Sequence, residues 1–188
     1  MKRAALGLAA ILACLAAHAA AFDVPALMSL LRAAHPGRAT FHETKYIAVL
    51  DQPVETSGEL RFTPPDRLEK RSTGLNAETL VADHDSVTIE RGGRRQVLSL
   101  AQYPEVAVFV DSIRGTLAGD RELLAKTYEL SLAGDAARWT LTLRPREPRL
   151  ARIVTRIDIE GSQGQVRRVE IQQADGDHSI MTITPASP

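Results

Sequence analysis

The chain has 188 residues, 44% of them hydrophobic and 4% aromatic, with 23 basic residues balanced by 23 acidic ones and a single cysteine. Zero net charge excludes the basic footprint of a nucleic-acid binder, and this apolar share excludes a disordered chain that buries too little surface to fold. One cysteine excludes an internal disulfide, and the length fits one domain with a sizeable core.

Residues 1–21 read as a secretory signal peptide: Lys2 and Arg3, an apolar run from Ala4 to Leu15, then Ala17-His18-Ala19 and Ala19-Ala20-Ala21 as small-residue cleavage sites. The run is shorter than the roughly 20 apolar residues that cross a bilayer. Its removal takes Lys2 and Arg3 and no acidic residue, so 21 basic and 23 acidic residues leave a net charge of −2. Cys14 leaves with it, and with it every thiolate metal ligand. An alternative keeps that cysteine, because Ile11-Leu12-Ala13-Cys14 loosely resembles a lipobox that would anchor the mature chain through lipid. Leu12 is atypical in that position, and an ordinary cleavage site follows. The expectation is therefore one exported domain over residues 22–188.

Asp23 is a helix cap, Pro25 suits a first turn, and Leu27, Leu30, Leu31 and Ala34 share one face before Pro36-Gly37 stops the helix. From Thr40 the apolar period changes to two. Strands are predicted over 41–50 and 54–63, with Asp51-Gln52-Pro53 as the turn and Leu60 and Phe62 on one face. Shorter strands follow over 67–72, 78–82, 86–90 and 96–100, the last two joined by Arg91-Gly92-Gly93-Arg94. After Tyr103-Pro104, Val106, Phe109, Ile113 and Leu117 recur at helical spacing, and Asp120 caps a second short turn through Leu123 and Leu124. Alternation then resumes through Tyr128, Leu130 and Leu132; Trp139, Leu141 and Leu143; Ile153, Ile157 and Ile159; Val169 and Ile171; and Ile180 or Met181 onward. Roughly ten or eleven strands with short turns argue for an antiparallel meander that curls on itself. One face needs a cover, and two helical stretches leave the interior partly open.

This order of parts resembles the LolA-like lipoprotein carriers. The resemblance spans most of the chain after residue 21 and is carried by Phe41-x-x-Thr44 and by Ser57-Gly58-Glu59-Leu60-Arg61-Phe62 ahead of Pro65. It implies a mainly β, α+β fold: an incomplete antiparallel β-barrel, covered by an N-terminal helix and a central helical lid over a hydrophobic cavity. It also implies a function, shielding lipoprotein acyl chains in the periplasm on the way to the outer membrane. The implied partners are acyl chains, an inner-membrane donor complex and an outer-membrane acceptor. Burial is worth about 0.8 kcal/mol per methylene, so a chain of roughly sixteen carbons crosses water only under cover. Catalysis, metal and cofactor are not required, and a monomer with capped edges suffices.

The residues expected to line the cavity are Leu60, Phe62, Leu68, Val87, Ile89, Phe109, Ile113, Trp139, Leu141, Leu143, Ile153 and Ile157. Ordinary core packing explains the same alternation, and only the resemblance favours a lining role. Val106 to Leu117 is either a lid that opens for cargo, with Gly115 and Gly119 as points where it moves, or a fixed covering helix. The family has a lid-bonding arginine directly before the strand-ending proline; here Pro64 stands in its place and has no N–H to donate. That departure, with the low aromatic content, suggests a divergent relative. Its cargo is then a lipoprotein, a glycolipid or a lipid-linked pigment, and the rival is a periplasmic sensor or interaction module with a filled interior.

Other motifs read more plainly. Asp83-His84-Asp85 is a turn, because neighbours in extended chain point to opposite faces and cannot all reach one ion. Arg144, Arg146, Arg149, Arg152 and Arg156 form the most basic segment, either a solvated sheet face or a contact for anionic headgroups. His35, His42 and His178 have no partner at catalytic spacing, and no hydrolase, metalloprotease or nucleotide motif is present.

Overall fold

The computed structural model describes residues 22–34, 37–74 and 77–186. The proposed signal peptide and Cys14 lie outside them, as does His35. The opening helix α1 (Val24–Ala33) is capped by Asp23, whose carboxylate accepts from the Ala26 N–H at 2.9 Å. It buries Leu27, Met28 and Leu31.

Eleven strands form one antiparallel sheet: β1 (Arg38–Tyr46), β2 (Val54–Thr63), β3 (Arg67–Ser72), β4 (Glu78–Asp83), β5 (Ser86–Arg91), β6 (Arg94–Ser99), β7 (Tyr128–Asp135), β8 (Arg138–Pro145), β9 (Val154–Ser162), β10 (Gln165–Gln173) and β11 (His178–Pro185). Their order is β6-β5-β4-β3-β2-β1-β11-β10-β9-β8-β7. Two meanders are thus joined at the centre, where β1 pairs with β11 and Phe41 lies opposite Ile183. The sheet is not closed into a barrel. The chain crosses from edge strand β6 to edge strand β7 through α2 (Pro104–Leu117) and α3 (Arg121–Thr127), which therefore cover the concave side. Asp120 caps α3 by accepting from the Leu123 N–H at 2.9 Å.

Period-two alternation decides which side chains meet the helices. Register places Trp139, Leu141 and Leu143 on β8 across from Gly161, Ile159 and Ile157 on β9. These pack with Leu27, Met28, Leu31, Val108 and Leu124 into the larger core. A smaller cluster of Ala82, Val87, Leu100 and Val110 lies under the other meander. Glycine makes two close approaches possible. A Cβ at Gly58, within the Ser57 to Phe62 run, would stand 1.9 Å from the Arg71 carbonyl oxygen of β3, and one at Gly161 would stand 2.2 Å from the Trp139 ring.

Several expectations need correction. The first strand starts at Arg38 and ends at Tyr46, because Ile47 to Leu50 closes a turn with Leu50 N–H bonded to the Ile47 carbonyl at 2.8 Å. A short helix α4 (Pro148–Ala151) falls within the arginine-rich segment, which is not continuous sheet; Pro148 suits its first turn and Leu150 is buried. The buried residues of α2 are Val108, Val110, Ser112, Gly115 and Thr116, with Phe109, Ile113 and Leu117 only partly buried. The helix is wedged between two clusters, so a single apolar face does not describe it. Gly115 and Gly119 both sit at close approaches: a Cβ at the first would lie 2.9 Å from Leu124, and at the second 2.2 Å from the Met28 carbonyl oxygen.

Candidate functional site

The expected lining residues divide into two groups. Trp139, Leu141, Leu143 and Ile157 are all fully buried beneath the helices, and the Trp139 indole N–H donates to the Gln163 carbonyl at 2.9 Å. Phe109 and Ile113 of α2, and Ile153 in the turn after α4, are partly buried against that same core. On the other meander Val87 is fully buried, whereas Leu60, Phe62, Leu68 and Ile89 stay partly exposed. Leu68 and Ile89 touch the small cluster under α2, and Leu60 and Phe62 stand outside both clusters. The open apolar surface of the concave face is therefore this strip on β2 to β5, to which Leu80 also belongs.

Sequence reasoning missed the polar half of this strip. Glu43, Thr56 and Lys70 share the concave face: Glu43 pairs with Thr56 across β1 and β2, and Lys70 lies opposite Leu60. The Lys70 ammonium donates to the Glu43 carboxylate and lies 5.0 Å from the centroid of the Phe41 ring. Thr56 Oγ1 donates to the same Glu43 oxygen at 3.4 Å. Counting in twos from Phe41, which already puts residue 43 inside, was the available signal.

Helix α2, the expected lid, is bonded to its surroundings without the expected arginine clasp. Arg114 of α2 donates to the His84 carbonyl in the β4–β5 turn at 2.6 Å and to Asp111 at 2.7 Å. Burial pushes the Asp111 carboxyl up, against the pull of the Arg114 guanidinium. Arg32 of α1 donates to the Gly119 carbonyl at 2.7 Å, and the Tyr128 hydroxyl donates to the Val108 carbonyl at 2.5 Å. Compared with the expected clasp, the arginine sits on the helix and the acceptor on the sheet.

Asp83-His84-Asp85 is a turn, with His84 at φ 50°. Asp66, Asp83 and His84 do bring three possible ligand atoms within 4.8 Å of one another. Asp83 is already engaged by Arg67 at 2.6 Å and by His84 at 2.7 Å. The bond to Asp83 raises the His84 pKa, and those to His84 and Arg67 lower that of Asp83. A metal ion there would have to displace a proton and a guanidinium, because Arg67, Asp83 and His84 already form an ion-pair network. A surface hollow of about 240 Å3 between this turn and the lid has Asp66, His84, Asp85, Arg114 and Asp120 in its wall. A second, of about 330 Å3, lies among Glu170, Gln172 and Asp177. Neither has a residue of the apolar strip in its wall.

Two of the five arginines of the basic segment are engaged. Arg146 donates to the carbonyls of Ala125 and Tyr128 at 3.0 and 2.9 Å, and Arg156 pairs with Asp158 at 2.5 Å. Arg144, Arg149 and Arg152 are exposed. His42 bonds Ser57 at 3.0 Å, and His178 stacks on Tyr46 with ring centroids 4.4 Å apart.

Residues 16–187 match the family model described as outer membrane lipoprotein carrier protein LolA-like. The chain belongs to this family. Similar solved structures include a LolA superfamily protein from Nitrosomonas europaea, at 9% identity with TM-score 0.47, covering 86% of this chain and 91% of that one. LprF from Mycobacterium bovis is 11% identical with TM-score 0.39, covering 88% and 93%. The MucA/MucB complex of Pseudomonas aeruginosa contributes a chain 14% identical with TM-score 0.37; the match covers 86% of this chain and 56% of that one. No protein of curated function matches the sequence. Among the described residues of this LolA-like chain, no helix is long and apolar enough to cross a membrane.

Proposed function

We propose that this LolA-like protein is a non-catalytic periplasmic carrier that shelters the acyl chains of a lipoprotein or another lipid while they pass between membranes. In this reading residues 1–21 are removed on export and residues 22–188 act as a monomer. An inner-membrane complex delivers the cargo and an outer-membrane acceptor takes it. The observation that carries the proposal is the incompletely covered apolar strip of Leu60, Phe62, Leu68, Leu80 and Ile89 on the concave face. These residues are inward-facing yet incompletely packed, so an acyl chain laid along them gains burial that the protein's own side chains leave unclaimed. Seating a full chain requires α2 to shift, and Arg114, Arg32 and Tyr128 are the contacts that resist it.

Native mass spectrometry of the full chain expressed for export tests the proposal. Extractable lipid mass is expected on the wild type and is lost in Phe62→Glu, with the fold retained by circular dichroism. The filled core under β7 to β11 favours a second reading, an interaction module that binds protein. A clean apo mass together with no uptake of a fluorescent fatty acid selects that module instead.

A further inference from the structure

The concave face of the first meander changes character along its strands. Register sets Phe62, Leu68, Ala82, Val87 and Leu98 in one row across β2 to β6, all apolar, with Leu68, Ala82 and Val87 in or against the small cluster under α2. The next row holds Leu60, Lys70, Leu80, Ile89 and Gln96. Beyond it lie Gly58 and Ser72, then Thr56 with Glu43. An amphiphile fits this gradient in one direction, with its tail towards α2 and its head at Lys70 and Glu43.

The head site has a definite chemistry. The side chains of Lys70 and Glu43 are 30% and 16% exposed, so both are partly stripped of water yet reachable from the strip. The bonds from Lys70 and Thr56 both fall on Glu43 Oε2, leaving Oε1 without a hydrogen bond among the described residues. An ammonium has three donors, and Lys70 makes one hydrogen bond there. The pair carries no net charge. An anionic head drawn to Lys70 is repelled by Glu43 at almost the same distance, and its own desolvation goes uncompensated. A neutral head bearing hydroxyl or amide groups donates to Oε1 and accepts from the ammonium at once, satisfying both.

We propose that Glu43 and Lys70 form a head-group subsite that selects acyl ligands with an uncharged, hydroxyl- or amide-bearing head over ligands with an anionic one. This rests on the carrier reading. Displacement of a fluorescent acyl probe, using monopalmitoylglycerol and palmitate as competitors of equal chain length, tests it on the full chain expressed for export. The wild type is expected to take the glyceride about tenfold more tightly, the value of one additional satisfied hydrogen bond. Glu43→Gln keeps the shape, frees the Lys70 charge and is expected to turn the preference towards palmitate. Equal affinities in the wild type, or a ratio that Glu43→Gln leaves unchanged, make the pair a structural ion pair and overturn the subsite while the carrier stands. If neither ligand displaces the probe from folded protein, the carrier reading falls and the subsite falls with it.

Discussion

The two meanders are built from the same alternating strands, yet only one is a finished core. Under β7 to β11, Trp139, Leu141, Leu143, Ile157 and Ile159 are fully buried beneath α1, α2 and α3. Under β2 to β6, α2 offers Val106, Ala107 and Val110, which seal Ala82 and Val87 but leave Leu60 and Phe62 partly exposed. Inward direction is a property of the strand; burial is a property of what lies opposite. The same leucine is therefore core in one meander and available surface in the other.

The sharpest way to break this comparison is a large truncation in the filled half. Trp139→Ala removes a fully buried indole with its bond to the Gln163 carbonyl and is expected to cost about 3 to 5 kcal/mol in urea unfolding. A matched pair sharpens it: Leu143→Ala is expected to cost about 3 kcal/mol and Leu60→Ala about 1 kcal/mol or less, because the second site is already partly solvated. Equal costs would mean that the two halves are packed alike.

A smaller effect tests the bond between lid and sheet. Tyr128→Phe is expected to lose about 1 kcal/mol at neutral pH by leaving the Val108 carbonyl short of one donor. Burial, and secondarily the nearby Asp111 charge, pushes the Tyr128 phenol pKa up. The folded state then keeps a proton that the unfolded chain releases above a pH of about 10, so stability falls as pH rises past that point. The wild type should therefore lose stability in alkali more steeply than Tyr128→Phe, by up to about 1.4 kcal/mol per pH unit; parallel alkaline profiles would contradict the assignment. Of similar size, Arg114→Gln is expected to cost about 1 kcal/mol and to speed exchange of a lipid probe by loosening α2 from the His84 carbonyl. An unchanged exchange rate would show that this bond does not restrain the lid.

Most of the fold was legible because its signals are local. Asp23 and Asp120 were readable as caps, β2 ran over the expected residues, and the switch from period two to helical spacing at Pro104 marked the insertion. What escaped depends on tertiary context. Four residues at Pro148–Ala151 are too few to show a helical period. The buried stripe of α2 was misjudged because a helix gripped on two sides has no single apolar face. The candidate site was half legible: the inward residues were identifiable, but nothing in their alternation said that Trp139 would be sealed and Phe62 left open. The charged pair was passed over because Glu43 and Lys70 lie 27 residues apart and meet only through two strand registers.

The claim on which the rest stands is that a ligand's acyl chain occupies the incompletely covered meander and not the filled one. Photocrosslinking with a diazirine-bearing acyl chain, followed by peptide mass mapping, measures this directly. Adducts concentrated on residues 58–89, at Leu60, Phe62, Leu68 and Ile89, are the predicted result. Adducts confined to residues 139–171, or none at all on folded protein, would contradict it.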